Sequence, residues 1–162
     1  MGRCDVAPVA EVGHYHVTSA TTETIKAAAN SGHIHPEIPK YTDYDAYRAE
    51  GGYVLLDSCL AGERAPNELI EIMSSSGLRG LGGAGFPTGT KWNIVRGEAK
   101  PRLMAVNADE GEPGTFKDKL YLESDPHRML EGMLIAAWVV EAETVYIYLR
   151  DETEEEHEMH EE

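Results

Sequence analysis

Residues 103–149 read LMAVNADEGEPGTFKDKLYLESDPHRMLEGMLIAAWVVEAETVYIYL, and they carry the strongest secondary-structure signal of the chain. The apolar run at residues 103–106 is typical of a buried strand. Asp125 and Pro126 give a strong helix start, and apolar residues recur behind them at helical spacing. Residues 144–149, TVYIYL, form the clearest strand pattern. Strand, helix and strand in this order predict a βαβ unit, with a parallel sheet and a right-handed crossover.

The other apolar patterns are short, and they predict one extended segment and several short helices. The extended segment covers residues 5–18, and the helices cover 21–30, 43–50, 53–60, 68–75, 91–96 and, after Asp125, 126 to about 140. Thr21 or Thr22 suits the cap of the first helix, Gly32 suits its end, and Asn67 suits the cap of the helix at 68–75. Residues 31–42 carry two prolines and little periodicity, which favours a linker.

A glycine-dense stretch, RGLGGAGFPTGTKW, occupies residues 79–92, and five of its fourteen residues are glycine. Glycine adopts positive φ at low cost and has no Cβ to hold a ligand away from the backbone. Several N–H groups can therefore converge on one anion, and Lys91 adds a charge suited to phosphate. The stretch predicts a phosphate-bearing cofactor held by main chain. The alternative is a glycine-rich structural turn.

A second segment, VNADEGEPGT at residues 106–115, follows the first predicted strand and is rich in carboxylates and turn formers. Ligands of open α/β sheets bind beyond the carboxyl ends of the strands. The two segments together predict a nucleotide or flavin site in an α/β protein. The alternative for the second segment is a polar loop that caps the next helix.

The composition narrows the function classes. The 162 residues include 29 acids and 14 Lys or Arg, and eight of the acids lie in residues 151–162. A chain with a net charge of −15 is a poor candidate for nucleic-acid binding, which calls for clustered cations. We expect no membrane span, since there is no run of 18 apolar residues, and no signal peptide, since the N-terminus lacks an apolar core. We expect no disulfide framework, because the cysteines are only Cys4 and Cys59. A cytoplasmic location is the default, and Cys59 is expected to be an ordinary buried cysteine.

Several short motifs follow one another along the chain. They are Ser76-Gly77-Leu78-Arg79-Gly80, Gly82-Gly83-Ala84-Gly85-Phe86-Pro87-Thr88-Gly89, Lys91-Trp92, residues 106–115, Lys117-Asp118, Asp125-Pro126-His127, Glu131-Gly132 and Tyr146-Ile147-Tyr148-Leu149-Arg150. In this order and spacing they resemble the NADH-binding FMN flavoprotein subunit of respiratory complex I. The family also includes the diaphorase subunits of NAD-dependent formate dehydrogenases and NAD-reducing hydrogenases. The resemblance implies an incomplete Rossmann-like FMN-binding domain, with parallel strands and flanking helices, over residues 43–150.

Two features resemble the diaphorase branch more closely. Leu81 stands where complex I subunits usually carry arginine, and Met1-Gly2-Arg3-Cys4-Asp5-Val6-Ala7-Pro8 resembles the last cysteine motif of a thioredoxin-like [2Fe–2S] domain. The resemblance therefore implies that residues 1–30 are the C-terminal remnant of that domain, with residues 31–42 as the linker. Residues 151–162 form an acidic tail that we expect to be disordered, without a counterpart in the family from Thr153 onward.

The chain also departs from the family. A [2Fe–2S] cluster needs four thiolates, and only Cys4 is present in its motif. The family's turn with paired glutamates and its [4Fe–4S] cysteines are absent as well. We therefore expect an internal fragment of a longer protein, with both clusters in the parent and not in this piece. The alternative function is a truncated, catalytically silent fragment.

The resemblance assigns roles to individual residues. In a complete member, NADH gives hydride to FMN, and FMN passes electrons to iron–sulfur clusters in partner and catalytic subunits of a dehydrogenase or hydrogenase. The implied roles are FMN phosphate binding for Gly80, Gly82, Gly83 and Lys91, ribityl and flavin contacts for Asn107, Asp109 and Glu110, stacking on nicotinamide or adenine for Phe86, hydride-transfer contacts for Glu112, and cluster ligation in the parent for Cys4. Core packing is the alternative for Phe86.

Overall fold

The computed structural model describes residues 6–32, 34–35, 40–81, 83–110, 112, 115 and 117–149. Their helices and strands are β1 (Ala10–Val12), β2 (Tyr15–Val17), α1 (Thr22–Ser31), α2 (Tyr44–Ala49), α3 (Val54–Leu60), α4 (Pro66–Ser75), α5 (Thr88–Gly97), β3 (Leu103–Asn107), α6 (Lys117–Ser124), α7 (Pro126–Val140) and β4 (Thr144–Tyr148). No helix in this described part is both long and apolar enough to cross a bilayer.

These elements group into two compact units. The hairpin unit takes its described residues from Met1–Lys40, Ala108–Ser124 and Leu149–Glu162, and the βαβ unit takes its residues from Tyr41–Asn107 and Asp125–Tyr148. The domain boundaries that the sequence predicts, at residues 30, 42 and 150, stay predictions. The predicted acidic tail, residues 151–162, lies outside the described residues.

In the hairpin unit, β1 and β2 pair antiparallel, with Ala10 opposite Val17. Thr21 caps α1 through a capping box with Thr24, and Gly32 ends the helix with φ 69°. Both helix boundaries are as the sequence predicts, because a hydroxyl at the cap satisfies free N–H groups and glycine adopts left-handed backbone readily.

In the βαβ unit, β3 and β4 pair in parallel, from Leu103 opposite Thr144 to Asn107 opposite Tyr148. Helix α7 lies between them in sequence and begins with Pro126 at its first turn. The predicted mixed α/β class with parallel strands is confirmed. The finer prediction, a Rossmann-like sheet, stays a prediction, since the described sheet that contains β3 has two strands.

The core of this unit lies between α7 and the helices that precede β3. Val139 is fully buried and Cys59 is 1% exposed, and they form one cluster with Leu69 and Ile70. The prediction that Cys59 is an ordinary buried cysteine is confirmed. Burial raises the pKa of the Cys59 thiol, which keeps it protonated and unreactive at neutral pH.

A buried carboxylate fastens α7 to α2 and α3. Glu131 lies in the middle of α7 at 9% exposure. Its Oε2 accepts hydrogen bonds from the Tyr47 hydroxyl at 2.6 Å and from the Tyr53 main-chain N–H at 2.9 Å. Its Oε1 accepts a longer bond, 3.4 Å, from the Leu56 N–H. Burial, followed by the hydrogen bond to Glu131, raises the pKa of Tyr47 to about 12.

Cationic side chains bind the C-terminal end of α7. The Arg102 guanidinium donates to the Val140 carbonyl at 3.0 Å and contacts the Glu141 carboxylate at 3.2 Å. Lys100 and Arg96 contact the same carboxylate at 2.9 and 3.0 Å. Lys100 is the main reason that the pKa of Glu141 is lowered. Cations at a helix C-terminus stabilise its free carbonyl groups.

Three local predictions are wrong or incomplete. Helix α4 begins at Pro66 with Ala65 at the N-cap position, and so Asn67 is not the cap. Proline is favoured at the first helical position, which makes the earlier start the better solution. Asp125 precedes α7 as expected but makes no capping bond; its carboxylate binds Arg128 at 2.6 Å instead. Helix α6 was not predicted, because residues 117–124 have no amphipathic pattern.

Candidate functional site

The glycine-rich loop leaves α4 and leads directly into α5. Its two ends pair with each other: the Gly80 N–H donates to the Phe86 carbonyl at 2.9 Å, and the Thr88 N–H donates to the Leu78 carbonyl at 2.9 Å. Arg79 and Pro87 form an isolated antiparallel bridge between these two bonds. We call residues 78–80 and 86–88 the neck of the loop and the described residues 81 and 83–85 its tip. The neck is therefore held shut by main chain.

The predicted phosphate-binding glycines do not share one environment. The Gly80 N–H already has a partner within the neck, and so this N–H does not point at a ligand in this conformation. Gly83 lies in the tip at φ 100°, and a Cβ added there would meet no described atom within 4 Å. Glycine is thus required at position 83 by backbone conformation and not by packing. Gly82 lies outside the described residues.

The first turn of α5 carries the predicted lysine. The Lys91 N–H donates to the Pro87 carbonyl at 3.0 Å, which closes this turn, and the Lys91 side chain is exposed. Pro87, at the N-cap position, offers no side-chain cap. The N-terminal N–H groups of a helix and a nearby ammonium both favour an anion.

Close packing fixes where α5 begins. Gly89 is buried against α4, and a Cβ at this position would lie 2.6 Å from the Ser74 main-chain nitrogen. The glycine therefore allows the two helices to meet at the base of the loop. The sequence motif includes Gly89, but nothing in the sequence distinguishes this packing glycine from the glycines of the tip.

Two further predicted residues belong to the βαβ unit. Asn107 is the last residue of β3 and is exposed. Its position at the carboxyl end of a parallel strand is the one predicted for a ligand-binding residue. Phe86 is 47% exposed, so plain core packing does not describe it.

In the hairpin unit, Glu110 is engaged with a helix. Its two carboxylate oxygens accept hydrogen bonds from the N–H groups of Asp118 at 3.0 Å and Lys119 at 3.1 Å, which caps α6. Desolvation raises the pKa of Glu110, but the main-chain donors at the start of α6 outweigh it and the net pKa is lowered. The alternative interpretation, a polar loop that caps a helix, describes this residue well.

The remaining predicted residues lie in or beside this segment. Asp109 is half-buried, and Glu112 is exposed. The Thr115 N–H donates to the Glu112 carbonyl at 3.1 Å. Cys4, the predicted cluster ligand of the parent, lies outside the described residues. Over the ranges that the structure describes, no three His, Cys, Asp or Glu side chains come together as a metal site.

The structure thus places five predicted residues in the βαβ unit and three in the hairpin unit. The first group is Gly80, Gly83, Phe86, Lys91 and Asn107, and the second is Asp109, Glu110 and Glu112. Sequence reasoning included Glu131 and Arg79 in the matching motifs but predicted no contact for either side chain. A charged residue inside an apolar helical pattern was the available signal for Glu131, whereas the contact made by Arg79 depends on the folded loop.

A βαβ unit preceded by a glycine-rich loop that leads into a helix is typical of α/β proteins that bind phosphate-bearing cofactors. Residues 73–162, more than half of the chain, match the Nuo51 FMN-binding domain, and the chain belongs to this family. The matched range includes residues 151–162, which corrects the expectation that the acidic tail has no counterpart there.

Curated relatives agree with the family, and two of them are subunits of bacterial NADH-quinone oxidoreductases. The chain is 48% identical over 117 residues to the subunit of Rhizobium meliloti (strain 1021), covering 72% of this chain and 28% of the relative. It is 45% identical over 114 residues to the subunit of Aquifex aeolicus (strain VF5), covering 70% of this chain and 26% of the relative. The chain therefore spans little more than a quarter of the length of these relatives.

Solved structures of an NAD+-reducing [NiFe]-hydrogenase share the fold. The air-oxidized structure superposes with a TM-score of 0.64 at 28% identity, covering 92% of this chain and 29% of the hydrogenase chain. The H2-reduced structure gives a TM-score of 0.66 at 27% identity. The resemblance to the complex I flavoprotein family and to hydrogenase diaphorases is confirmed.

Proposed function

We propose that this chain supplies the phosphate-binding part of an FMN site in a module that transfers electrons between NADH and iron–sulfur clusters. Family membership supports the flavin, and the names of the relatives support NADH as the electron donor. The observation that carries the proposal is the glycine-rich loop with its closed neck, which leads into the uncapped first turn of α5 beside Lys91.

The residues of this region fit the phosphate end of FMN. Gly83 combines positive φ with open space on the side where a Cβ would lie, so that an anion can approach the backbone there. The start of α5 adds the positive end of a helix dipole and the Lys91 ammonium. The N–H of Gly80 is the exception, since the Phe86 carbonyl already accepts it.

Each residue has a stated task in this proposal. Lys91 and the main chain at Gly83 hold the phosphate, and Asn107 and Asp109 bind the ribityl chain and the ring. Glu110 contacts the flavin while it caps α6. Bound FMN supplies the redox chemistry, since it accepts hydride from NADH and releases electrons singly.

The other tasks concern the nucleotide. Phe86 stacks on the nicotinamide or adenine ring, for which its exposed face is suited. Glu112 lies near the point of hydride transfer and binds the nicotinamide or an ordered water.

The proposal extends to the setting of the module. The relatives are named as subunits, and the solved structures are of a hydrogenase, which supports work inside a multi-subunit oxidoreductase. Iron–sulfur and catalytic subunits are the proposed partners, with formate, hydrogen or a quinone-linked system at the other end. The proposed location is the cytoplasm.

A second candidate is a catalytically silent fragment. The observation that favours it is coverage, because the chain spans 28% of the Rhizobium relative. A fragment can keep the phosphate-binding loop and still lack the residues that close over flavin and nicotinamide. This candidate predicts FMN binding without NADH–ferricyanide activity, whereas the first predicts both.

The test is a fluorescence titration of FMN and riboflavin with the purified chain. We expect weak quenching of FMN fluorescence, with riboflavin weaker still because it lacks the phosphate. Lys91→Gln should weaken FMN binding ~10-fold, the worth of one charge-assisted contact, and leave riboflavin binding unchanged. Lys26→Gln, on exposed α1, is the matched control. Absence of quenching at micromolar protein would reject the proposal.

A further inference from the structure

Arg79 connects the neck of the glycine-rich loop to its tip. Its guanidinium Nη1 donates a hydrogen bond to the Gly85 carbonyl at 2.9 Å. The Arg79 main chain is fixed at the same time, because this residue forms the bridge with Pro87. The Arg79 side chain, whose main chain belongs to the neck, therefore binds the Gly85 carbonyl of the tip.

The tip needs such a restraint because its backbone is otherwise loosely determined. Gly83 has φ 100° and Gly85 has φ 60°, and a Cβ at either position would meet no described atom within 4 Å. Glycine without neighbouring contacts has many accessible conformations, and its ordering costs more free energy than that of any other residue. No side chain is present at these two glycines to restrict the backbone by packing.

The hydrogen bond from Arg79 fixes a whole peptide plane. The peptide between Gly85 and Phe86 is trans, and so its C=O and N–H groups point in opposite directions. When the Gly85 oxygen is held by Arg79, the Phe86 N–H is directed to the other side. The carbonyl, which would repel a phosphate, is turned towards a cation.

We propose that Arg79 is a positioning residue that presets the tip of the loop for an anionic phosphate. This role rests on the proposed FMN site but requires no direct contact between Arg79 and the ligand. Arginine suits the task, since it stays charged at all relevant pH values and one of its five N–H donors suffices for the carbonyl.

The first experiment compares FMN with riboflavin in three variants. Arg79→Leu keeps an apolar side chain at this position and removes the donor; we expect FMN affinity to fall ~5-fold, while riboflavin affinity changes less than ~2-fold. Arg79→Lys should restore most of the FMN affinity. Arg64→Leu, which removes an exposed arginine paired with Glu68 on α4, is the matched control. Equal losses for FMN and riboflavin would overturn the proposal.

The second experiment needs no ligand. Amide exchange by NMR reports the two neck bonds at Gly80 and Thr88. We expect the protection of Gly80 to fall in Arg79→Leu and to recover in Arg79→Lys, because its bond to the Phe86 carbonyl lies next to the peptide that Arg79 holds. The thermal midpoint should not change, and Thr88, further from the tip, serves as the internal reference. Unchanged protection in Arg79→Leu would overturn the positioning role. So would an Arg79→Lys variant that recovers FMN affinity but not amide protection, because Arg79 would then act through its charge alone.

The two experiments separate the inference from the proposed function. If the unsubstituted chain binds no FMN, the proposed function fails, and amide exchange alone decides the role of Arg79. If FMN binds but exchange and the FMN-to-riboflavin ratio are unchanged in Arg79→Leu, the proposed function stands and the positioning role is wrong.

Discussion

Replacing Glu131 by alanine should strongly destabilise the βαβ unit. The substitution removes the acceptor of two short hydrogen bonds, from Tyr47 at 2.6 Å and Tyr53 at 2.9 Å, and of a longer one from Leu56 at 3.4 Å. Hydrogen bonds to a charged group contribute about 1.5–3 kcal/mol each, and a buried hydroxyl left without a partner costs about 1–3 kcal/mol.

These contributions do not add fully, since water can enter the space that Glu131 leaves. Because the buried carboxylate also costs free energy to desolvate, we expect a net loss of about 3–5 kcal/mol for Glu131→Ala. That is a large part of the roughly 5–15 kcal/mol that is typical of a domain, so the variant should be largely unfolded at a modest denaturant concentration.

The assay is urea denaturation followed by far-ultraviolet circular dichroism, with the free energy of unfolding taken from the midpoint and slope. Glu131→Gln keeps one acceptor oxygen and should lose about 1–2 kcal/mol. Glu71→Ala, at an exposed position of α4, should change the stability by less than about 0.5 kcal/mol. A loss below about 1 kcal/mol in Glu131→Ala would show that this carboxylate does not fasten α7.

Three further predictions concern packing and pH. Gly89→Ala should lower the free energy of unfolding by about 1–3 kcal/mol, because its Cβ would lie 2.6 Å from the Ser74 nitrogen. Gly132→Ala, which adds a Cβ in open space on α7, should raise it by about 0.5–1 kcal/mol in the same urea assay. The raised pKa of Tyr47, about 12, favours its neutral form in the folded state, so stability should fall between pH 10 and 12, and Tyr47→Phe should remove this part of the loss in denaturation curves. The pKa of Glu141 is lowered in the folded state, so its ion pairs stabilise the fold at pH values above the pKa of the unfolded chain. Stability should therefore fall as the pH drops below about 4.5, and Glu141→Gln should make this fall smaller. Equal acid sensitivity of the two proteins would contradict the prediction.

Local signals in the sequence were sufficient for much of the fold. Helix α1 begins after Thr21 and ends before Gly32, and helix α7 begins at Pro126, because capping and proline geometry act within one turn of the chain. The βαβ order predicts a parallel pair, since a strand that follows a crossover helix returns in the same direction. The glycine-rich loop and its lysine are one of several motifs that together carry the family resemblance, and these motifs are recognised from residue types and spacing alone.

Where two signals compete, the sequence was less reliable. Asn67 is a good cap in isolation, but Pro66 next to it is a better first helical residue, and the helix starts there. Helix α6 has no apolar face from which it could be predicted, and its N-terminus is stabilised by Glu110 from outside the helix. The sequence left two roles open for the segment that contains Glu110, a flavin contact and a polar loop that caps a helix, and the structure shows the capping bonds.

By itself the sequence determined the helix boundaries set by caps, the order of strand, helix and strand, and the presence of a glycine-rich loop, because each depends on residue types within a short stretch of the chain. The tertiary structure alone showed that the Gly80 N–H is bound within the neck, that Gly89 serves packing, that Arg79 binds the Gly85 carbonyl of the same loop, and that Glu131 joins segments far apart in sequence. These roles depend on hydrogen bonds and close contacts between groups whose distance in space is fixed only after the helices have packed.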